Sequence, residues 1–455
     1  MVQLAKQSKS NLRGIVLKHP FLLVMLSITL FAPLSLGQQA NVASNMTASG
    51  PTAKTSRLSE AEQGRFDELR QRGFEALYNL DYEEARRNFK ELARLFPDHP
   101  AGPQFLAASL WAQTLNESRR LQSGLYNSDS FYANNEDKVD PRTVAQFREW
   151  TRAAKLLAEA RLKRDRQDTE ALYFLGATEG LKAAFATAVQ RSFMGALKDG
   201  QNSVDRHREV IKLDPNFHDA ELTIGLYDYV VGALPLPVKL LASITGARGS
   251  KKRGLQTLER VAHEGRFAQD DARALLIILY KREERFNDAL TVARELSAKY
   301  PRSYLLKLEA ADALVSQAAV ERQAGRSNEA TSAQREALSI FNDLLRSNTT
   351  RDTASRALDL IHFRYGEALL AGGQKEQAAK EFLAAASVQG AEQNLATMAH
   401  LRAAQALDLA GKRNEAISQY RVVLARPNVY DSQDEAKQGL RAPYELKAQE
   451  KSVQE

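Results

Sequence analysis

The sequence predicts an all-α chain, a solenoid of about eight antiparallel helix pairs stacked side by side. Three observations lead there. Ala, Leu, Gln, Glu, Lys and Arg, which lose little side-chain freedom in a helix, dominate from residue 56 onward. The alternating Val-, Ile- and Thr-rich runs that strands need are nearly absent. One spacing of small, small, large and proline residues recurs at four places. The 455 residues exceed what a single compact core can hold; a repeat array removes that limit, because each unit packs only on its neighbours.

In chain order, a basic stretch ends at Lys18, an apolar run follows from Pro20 to Leu34, and Ser35-Leu36-Gly37 closes it. That is the order of a secretory signal peptide over residues 1–37, cleaved after Gly37, with export to the periplasm or the medium. The apolar run of about 14 residues is short of the roughly 20 that a membrane span needs, so an uncleaved anchor is the lesser alternative. Residues 38–57, rich in Gln, Ala, Ser, Thr and Gly, read as an unstructured leader.

The array is expected over residues 58–427. Counting Phe66 as the first position, Gly73, Ala85, Phe89 and Pro97 fall at the eighth, twentieth, twenty-fourth and thirty-second. Counting from Asp359, Gly366, Ala378 and Phe382 repeat the pattern; from Thr397, Ala404, Ala416 and Tyr420 do so, with Pro427 one place early. A central unit from Asp270 carries Tyr280, Ala289 and Pro301 at the eleventh, twentieth and thirty-second. The eighth and twentieth positions must be small where two helices cross, the twenty-fourth is a large knob, and the proline stops the second helix. Less regular pairs are expected at 102–168, split by a polar insert at 122–142, at 170–215, and at 216–265, with an apolar insert at 229–250. A longer pair at 304–348 shows no small crossing residue. Residues 428–455 read as a polar tail.

These positions resemble the tetratricopeptide repeat (TPR) superfamily over about 58–427. The resemblance implies a right-handed superhelix whose concave groove, lined by the first helix of each pair, receives peptides or partner helices. Residues 216–320 carry a weaker likeness to the inclusion-body-clearance family of outer-membrane-associated TPR proteins, through Gly225-Leu-Tyr-Asp-Tyr229, residues 234–241, Gly246 to Gly249 and Lys252-Arg-Gly-Leu255.

Composition narrows function. Lys6, Lys9, Arg13 and Lys18 supply four of the formal +7 charges; without them 59 basic residues face 56 acidic ones. That balance argues against a nucleic-acid partner, which wants a concentrated basic face. The absence of cysteine excludes disulfides, thiolate metal sites, a cysteine nucleophile and a lipidated cysteine. The seven histidines form no i, i+4 pair, and neither H-E-x-x-H nor G-x-S-x-G occurs. The chain is therefore read as no enzyme, with no cofactor and no metal, and with protein or peptide partners. The run 246–254 has the composition of a phosphate loop but lacks Lys-Ser/Thr after its last glycine and reads as a helix-capping connector. The insert 229–247 is the basis of the alternative reading, an envelope- or lipid-associated protein, although Pro235 and Pro237 break it and membrane contact is not favoured.

Groove positions of a TPR unit fall on Arg70, Phe74 and Tyr78 in the first unit, Lys281 and Arg282 in the central one, and Phe363, Glu367 and Gln405 later. As a set they mix rings and charges suited to anchoring an extended peptide, while any one of them reads alternatively as packing within the solenoid; Arg70 and Lys281 are expected to face solvent. Phe74, Glu367 and Gln405 at the ninth position leave no Lys/Asn carboxylate clamp.

Overall fold

The computed structural model describes residues 58–120, 139–190, 192–234, 239, 248–266, 268–346, 353–429 and 431–445. The segments read as signal peptide and leader lie outside these residues, as do most of the polar insert, residues 235–238 and 240–247 of the apolar insert, and the chain end beyond 445.

Among the described residues there are seventeen α-helices and no strand. They are α1 Glu60–Tyr78, α2 Tyr82–Leu95, α3 Ala101–Glu117, α4 Pro141–Arg164, α5 Thr169–Ala188, α6 Phe193–Leu213, α7 Glu221–Gly232, α8 Lys251–Glu264 and α9 Gln269–Arg282. Then come α10 Phe286–Lys299, α11 Tyr304–Gln323, α12 Ser327–Arg346, α13 Leu358–Ala371, α14 Lys375–Ser387, α15 Gln393–Leu409, α16 Arg413–Leu424 and α17 Ser432–Arg441. Sixteen of them pair in sequence, which gives the eight pairs expected. Helix starts are chemically marked: Ser59 closes a capping box with Glu62 on α1, Asp140 caps α4 ahead of Pro141, and Ser250 caps α8, as the connector reading expects.

The chain forms two compact units, residues 1–115 with 135–276, and residues 116–134 with 277–455. Within each, a helix packs chiefly on its chain neighbours, and in the second unit the first helices α11, α13, α15 and α17 also touch in succession. This is nearest-neighbour stacking.

The crossing residues behave as their spacing requires. A Cβ on Gly73 would stand 2.2 Å from Phe89 Cε1, and one on Gly366 would stand 2.8 Å from Phe382 Cδ1. Ala85, Ala378 and Ala416 are each 0% exposed. In the pair α7–α8 glycine goes further: a Cβ on Gly254 would meet the Tyr229 backbone nitrogen at 2.4 Å, so these helices touch backbone to backbone.

The turn between paired helices supplies a ruler that helix starts do not. Leu80, Glu284, Gly373 and Gly411 occupy the fifteenth position of the four regular units, and all four have positive φ. Gly325, with φ 75°, is the matching turn between α11 and α12. Counted from it, the eighth and twentieth positions are Ala318 and Ala330, 0% and 2% exposed. The longer pair therefore has its small crossing residues after all. It escaped notice because both helices run to 20 residues and displace the pattern from the helix start.

The tail also differs from expectation. Residues 432–441 form α17, the last helix among the described residues: Ala436 is fully buried, and a Cβ on Gly439 would meet Tyr420 Cζ at 2.2 Å. Its exposed residues, Asp434, Glu435, Lys437, Gln438 and Arg441, are polar.

Candidate functional site

The residues expected to line a groove fall in both units, and the two units treat them differently. In unit 1, α1 presents Arg70, Phe74 and Tyr78 along one face. None of the three simply faces solvent. Arg70 is 8% exposed and pairs with Asp67 at 3.1 Å; burial lowers its pKa to about 10 against the opposing pull of Asp67. Phe74 packs edge-on against Phe89 and Phe105, with ring centroids 5.0 and 4.9 Å apart. Tyr78 donates its hydroxyl proton to Asp271 Oδ1 at the start of α9. The expected open face is thus covered inside unit 1 by a contact between its first and last first-helices, 193 residues apart in sequence. Local periodicity carries no information about such a contact.

In unit 2 the charged positions are engaged but partly exposed. Lys281 Nζ bonds Glu309 and, at 2.6 Å, Asp312 Oδ2, both on α11. Arg364 on α13 bonds Asp312 and, at 2.7 Å, Glu367 Oε2. Burial alone would raise the Asp312 pKa; Arg364 and Lys281 outweigh it and hold the carboxyl at about 2. The same acids raise Lys281 against its own burial. A second group continues the ladder: Arg402 donates to Gln405 Oε1 at 3.0 Å, and Gln405 Nε2 donates to Glu435 of α17 at 2.9 Å. Arg282 is exposed, whereas Phe363 (9%) and Gln405 (2%) are buried, Phe363 against Phe382 at 5.4 Å.

Five members of this ladder, Glu309, Asp312, Arg364, Arg402 and Glu435, went unselected in the sequence. A signal was present. Arg364 and Arg402 both hold the sixth position and each bonds the ninth-position residue three places on. Asp312 becomes the second position of its unit once Gly325 fixes the register.

The histidines act as ties between helices. His99 receives the Ala101 N–H on Nδ1 and faces Glu170 at 3.2 Å; His99 and Arg161 together hold Glu170 at about 2 against its burial. His207 is pushed down to about 4 by burial, with Nε2 at 3.2 Å from the Tyr173 carbonyl. His362 meets Glu381 at 2.7 Å, and His400 meets Gln419 at 2.9 Å. Among the described residues no group of three or more His, Asp or Glu is placed to hold a metal ion, and no helix is long and apolar enough to cross a membrane. The described start of the apolar insert is interior: Tyr229, Val230 and Val231 are buried, and Leu234 packs on Val204, Tyr227 and Val231.

No protein-family model matches the chain, and no curated protein matches it. Solved structures do. A human IFIT1 dimer with PPP-AAAA matches over 83% of this chain and 84% of its own, at 13% identity and a TM-score of 0.43. Yeast Tom70 matches over 83% and 88%, at 11% identity and 0.35. A tetratricopeptide repeat protein from Parabacteroides merdae matches over 74% and 99%, at 14% identity and 0.29. The expectation that excluded nucleic acid is corrected at this point: among the solved structures that match, those of IFIT1 hold PPP-AAAA and m7Gppp-AAAA. In fold, the chain is a TPR-type α–α solenoid.

Proposed function

We propose that the chain is an exported, non-catalytic scaffold that holds a protein or peptide segment on the first-helix face of unit 2. The observation that carries this reading is the ladder of Lys281, Asp312, Arg364 and Glu367. Its side chains alternate in sign, are fixed by one another, and keep up to 32% of their surface exposed. Charges already paired and positioned can exchange one partner for a group on an incoming segment without leaving a buried charge uncompensated. Arg282 and Arg402 extend the same face. Phe363 and Gln405 support it from within, as packing.

The test is affinity capture from the native cell envelope with the chain lacking residues 1–37. A Glu367→Ala, Arg402→Ala double variant serves as control, with thermal melts confirming that its fold is intact. Loss of the captured protein in the variant supports the reading. Capture that is abolished by nuclease and insensitive to protease replaces it with a nucleic-acid one. Export is tested separately by N-terminal sequencing: a start at Gln38 supports it, and intact Met1 in a soluble cytosolic fraction overturns it.

A further inference from the structure

Asp271, like Glu179, is a buried acid with an unpartnered carboxylate oxygen. It is 6% exposed, its Oδ1 accepts the Tyr78 hydroxyl, and its Oδ2 has no hydrogen-bond partner. No cation pairs with it among the described residues, in contrast to Glu170, Asp312 and Asp359, each of which meets an arginine. The groups around it come from four elements. From α1 come Asp67, Arg70 and Tyr78, and the arginine is turned to Asp67. From α5 comes Tyr173, 0% exposed, whose hydroxyl is itself unpartnered. From the short 3-10 turn His218–Ala220 comes Asp219, whose Oδ1 accepts the Arg266 and Ala268 N–H groups at 3.1 and 2.7 Å. From α9 and the residues leading into it come Arg266, Asp270 and Arg273, the last two paired at 3.1 Å.

An acid in this position is stable only when neutral. Burial lifts its pKa well above the ordinary carboxylate value against the hydrogen bond from Tyr78, and Asp270 and Asp219 add to the lift. The contact it makes also joins α1 to α9, the two ends of unit 1.

We propose that Tyr78 and Asp271 are a proton-dependent clasp that holds the inner face of unit 1 shut. With the carboxyl protonated, α1 and the first turns of α9 stay joined. Ionisation puts an unpaired charge in the interior, and solvation of that charge favours parting α1 from α9. The sign follows from linkage. The closed state has the raised pKa and the open state the ordinary one. Opening is therefore least below the ordinary carboxylate pKa of about 3.9 and increases by up to about tenfold per pH unit above it, until the raised pKa is passed.

Hydrogen–deuterium exchange of the full chain at about pH 5, 6 and 7, corrected for intrinsic exchange, tests the clasp on peptides from α1. Wild-type protection should fall by up to about tenfold per unit, while Asp271→Asn, neutral at every pH, should show a flat profile. A flat wild-type profile, or parallel slopes in the two proteins, overturns the proposal. Should Asp271→Asn fail to fold, isotope-edited infrared spectra of wild-type protein with labelled aspartate decide. A protonated-carboxyl band must persist above the ordinary carboxylate range, where free aspartate is ionised, and its absence there overturns the proposal equally.

Discussion

Unit 1 is filled with rings and unit 2 with alanines and ion pairs, although both are built on one helix-pair pattern. In unit 1, Phe74, Phe89, Phe105, Phe174, Tyr173 and His207 form a continuous chain with successive ring centroids 4.9–5.9 Å apart. In unit 2 the described ring contacts are Phe341 with Tyr365 and Phe363 with Phe382. Its crossings are made by Ala318, Ala378, Ala404 and Ala416, all 0% exposed. Rings bury large apolar areas and let helices stand apart, so the inner face of unit 1 fills from its own side chains. Alanines bring helices close but bury little. The long side chains of unit 2 then meet each other across first helices and fix their spacing by charge. The pattern dictates where helices cross; what fills the space between crossings decides whether a face is shut or left for a partner.

The largest expected effect tests the ring side of the contrast. Phe89 is 0% exposed and touches Phe74, Phe105 and the Gly73 backbone. Phe89→Ala should cost about 4 kcal/mol in urea melts of unit 1, with no dependence on salt. A loss below about 1 kcal/mol would mean that the rings are not its core.

Acid separates the units next. His207 is neutral and fully interior, with its pKa lowered to about 4. Its contribution is present above the unfolded value of about 6.5 and is lost as pH falls from there towards the lowered value, by up to about 3 kcal/mol. Asp312, lowered to about 2, keeps its contribution until pH falls below the ordinary carboxylate range. Melts between about pH 7 and about pH 4.5 carry this loss together with the opposite contribution of the raised Asp271; His207→Leu should remove the loss and Asp312→Asn leave it in place. Equal slopes in wild type and His207→Leu would show that the imidazole is not buried as described. At neutral pH, Asp312→Ala should cost about 2 kcal/mol. That is less than a fully buried pair, because the carboxylate keeps 28% of its surface and Lys281 and Arg364 keep Glu309 and Glu367.

The crossings should not distinguish the units at all. Ala85→Leu in unit 1 and Ala378→Leu in unit 2 should each overpack by about 1–3 kcal/mol, since both alanines are sealed against the paired helix. A silent Ala378→Leu would unseat the register on which both units rest.

These residues also show what was readable from the sequence. Positions set by packing between chain neighbours, such as Gly73, Ala85 and Ala378, stand at a fixed separation and were legible. Solvent exposure of Arg70 was not, because Asp271 arrives from about two hundred residues away to cover its face. Lys281 reads as a free groove cation until Glu309 and Asp312 are placed on the neighbouring first helix. That needed the register of a unit whose long helices hid it.

The smallest effect concerns the turn that supplied this register. Gly373, with φ 80°, has nothing within 4 Å of where a Cβ would stand, so Gly373→Ala changes only backbone strain. An L side chain in the left-handed region costs about 1 kcal/mol, slightly offset by the narrower unfolded ensemble of alanine. Glu284 holds the same fifteenth position at φ 57° and is exposed, so it already bears that strain. Glu284→Gly should relieve it and raise stability by a few tenths of a kcal/mol, after the entropy that glycine adds to the unfolded chain. The pair of substitutions has opposite signs only if the two turns share one geometry. Thermal melts in which both substitutions destabilise would show that the fifteenth position is no common ruler, and the crossing residues assigned to α11 and α12 through Gly325 would lose their basis.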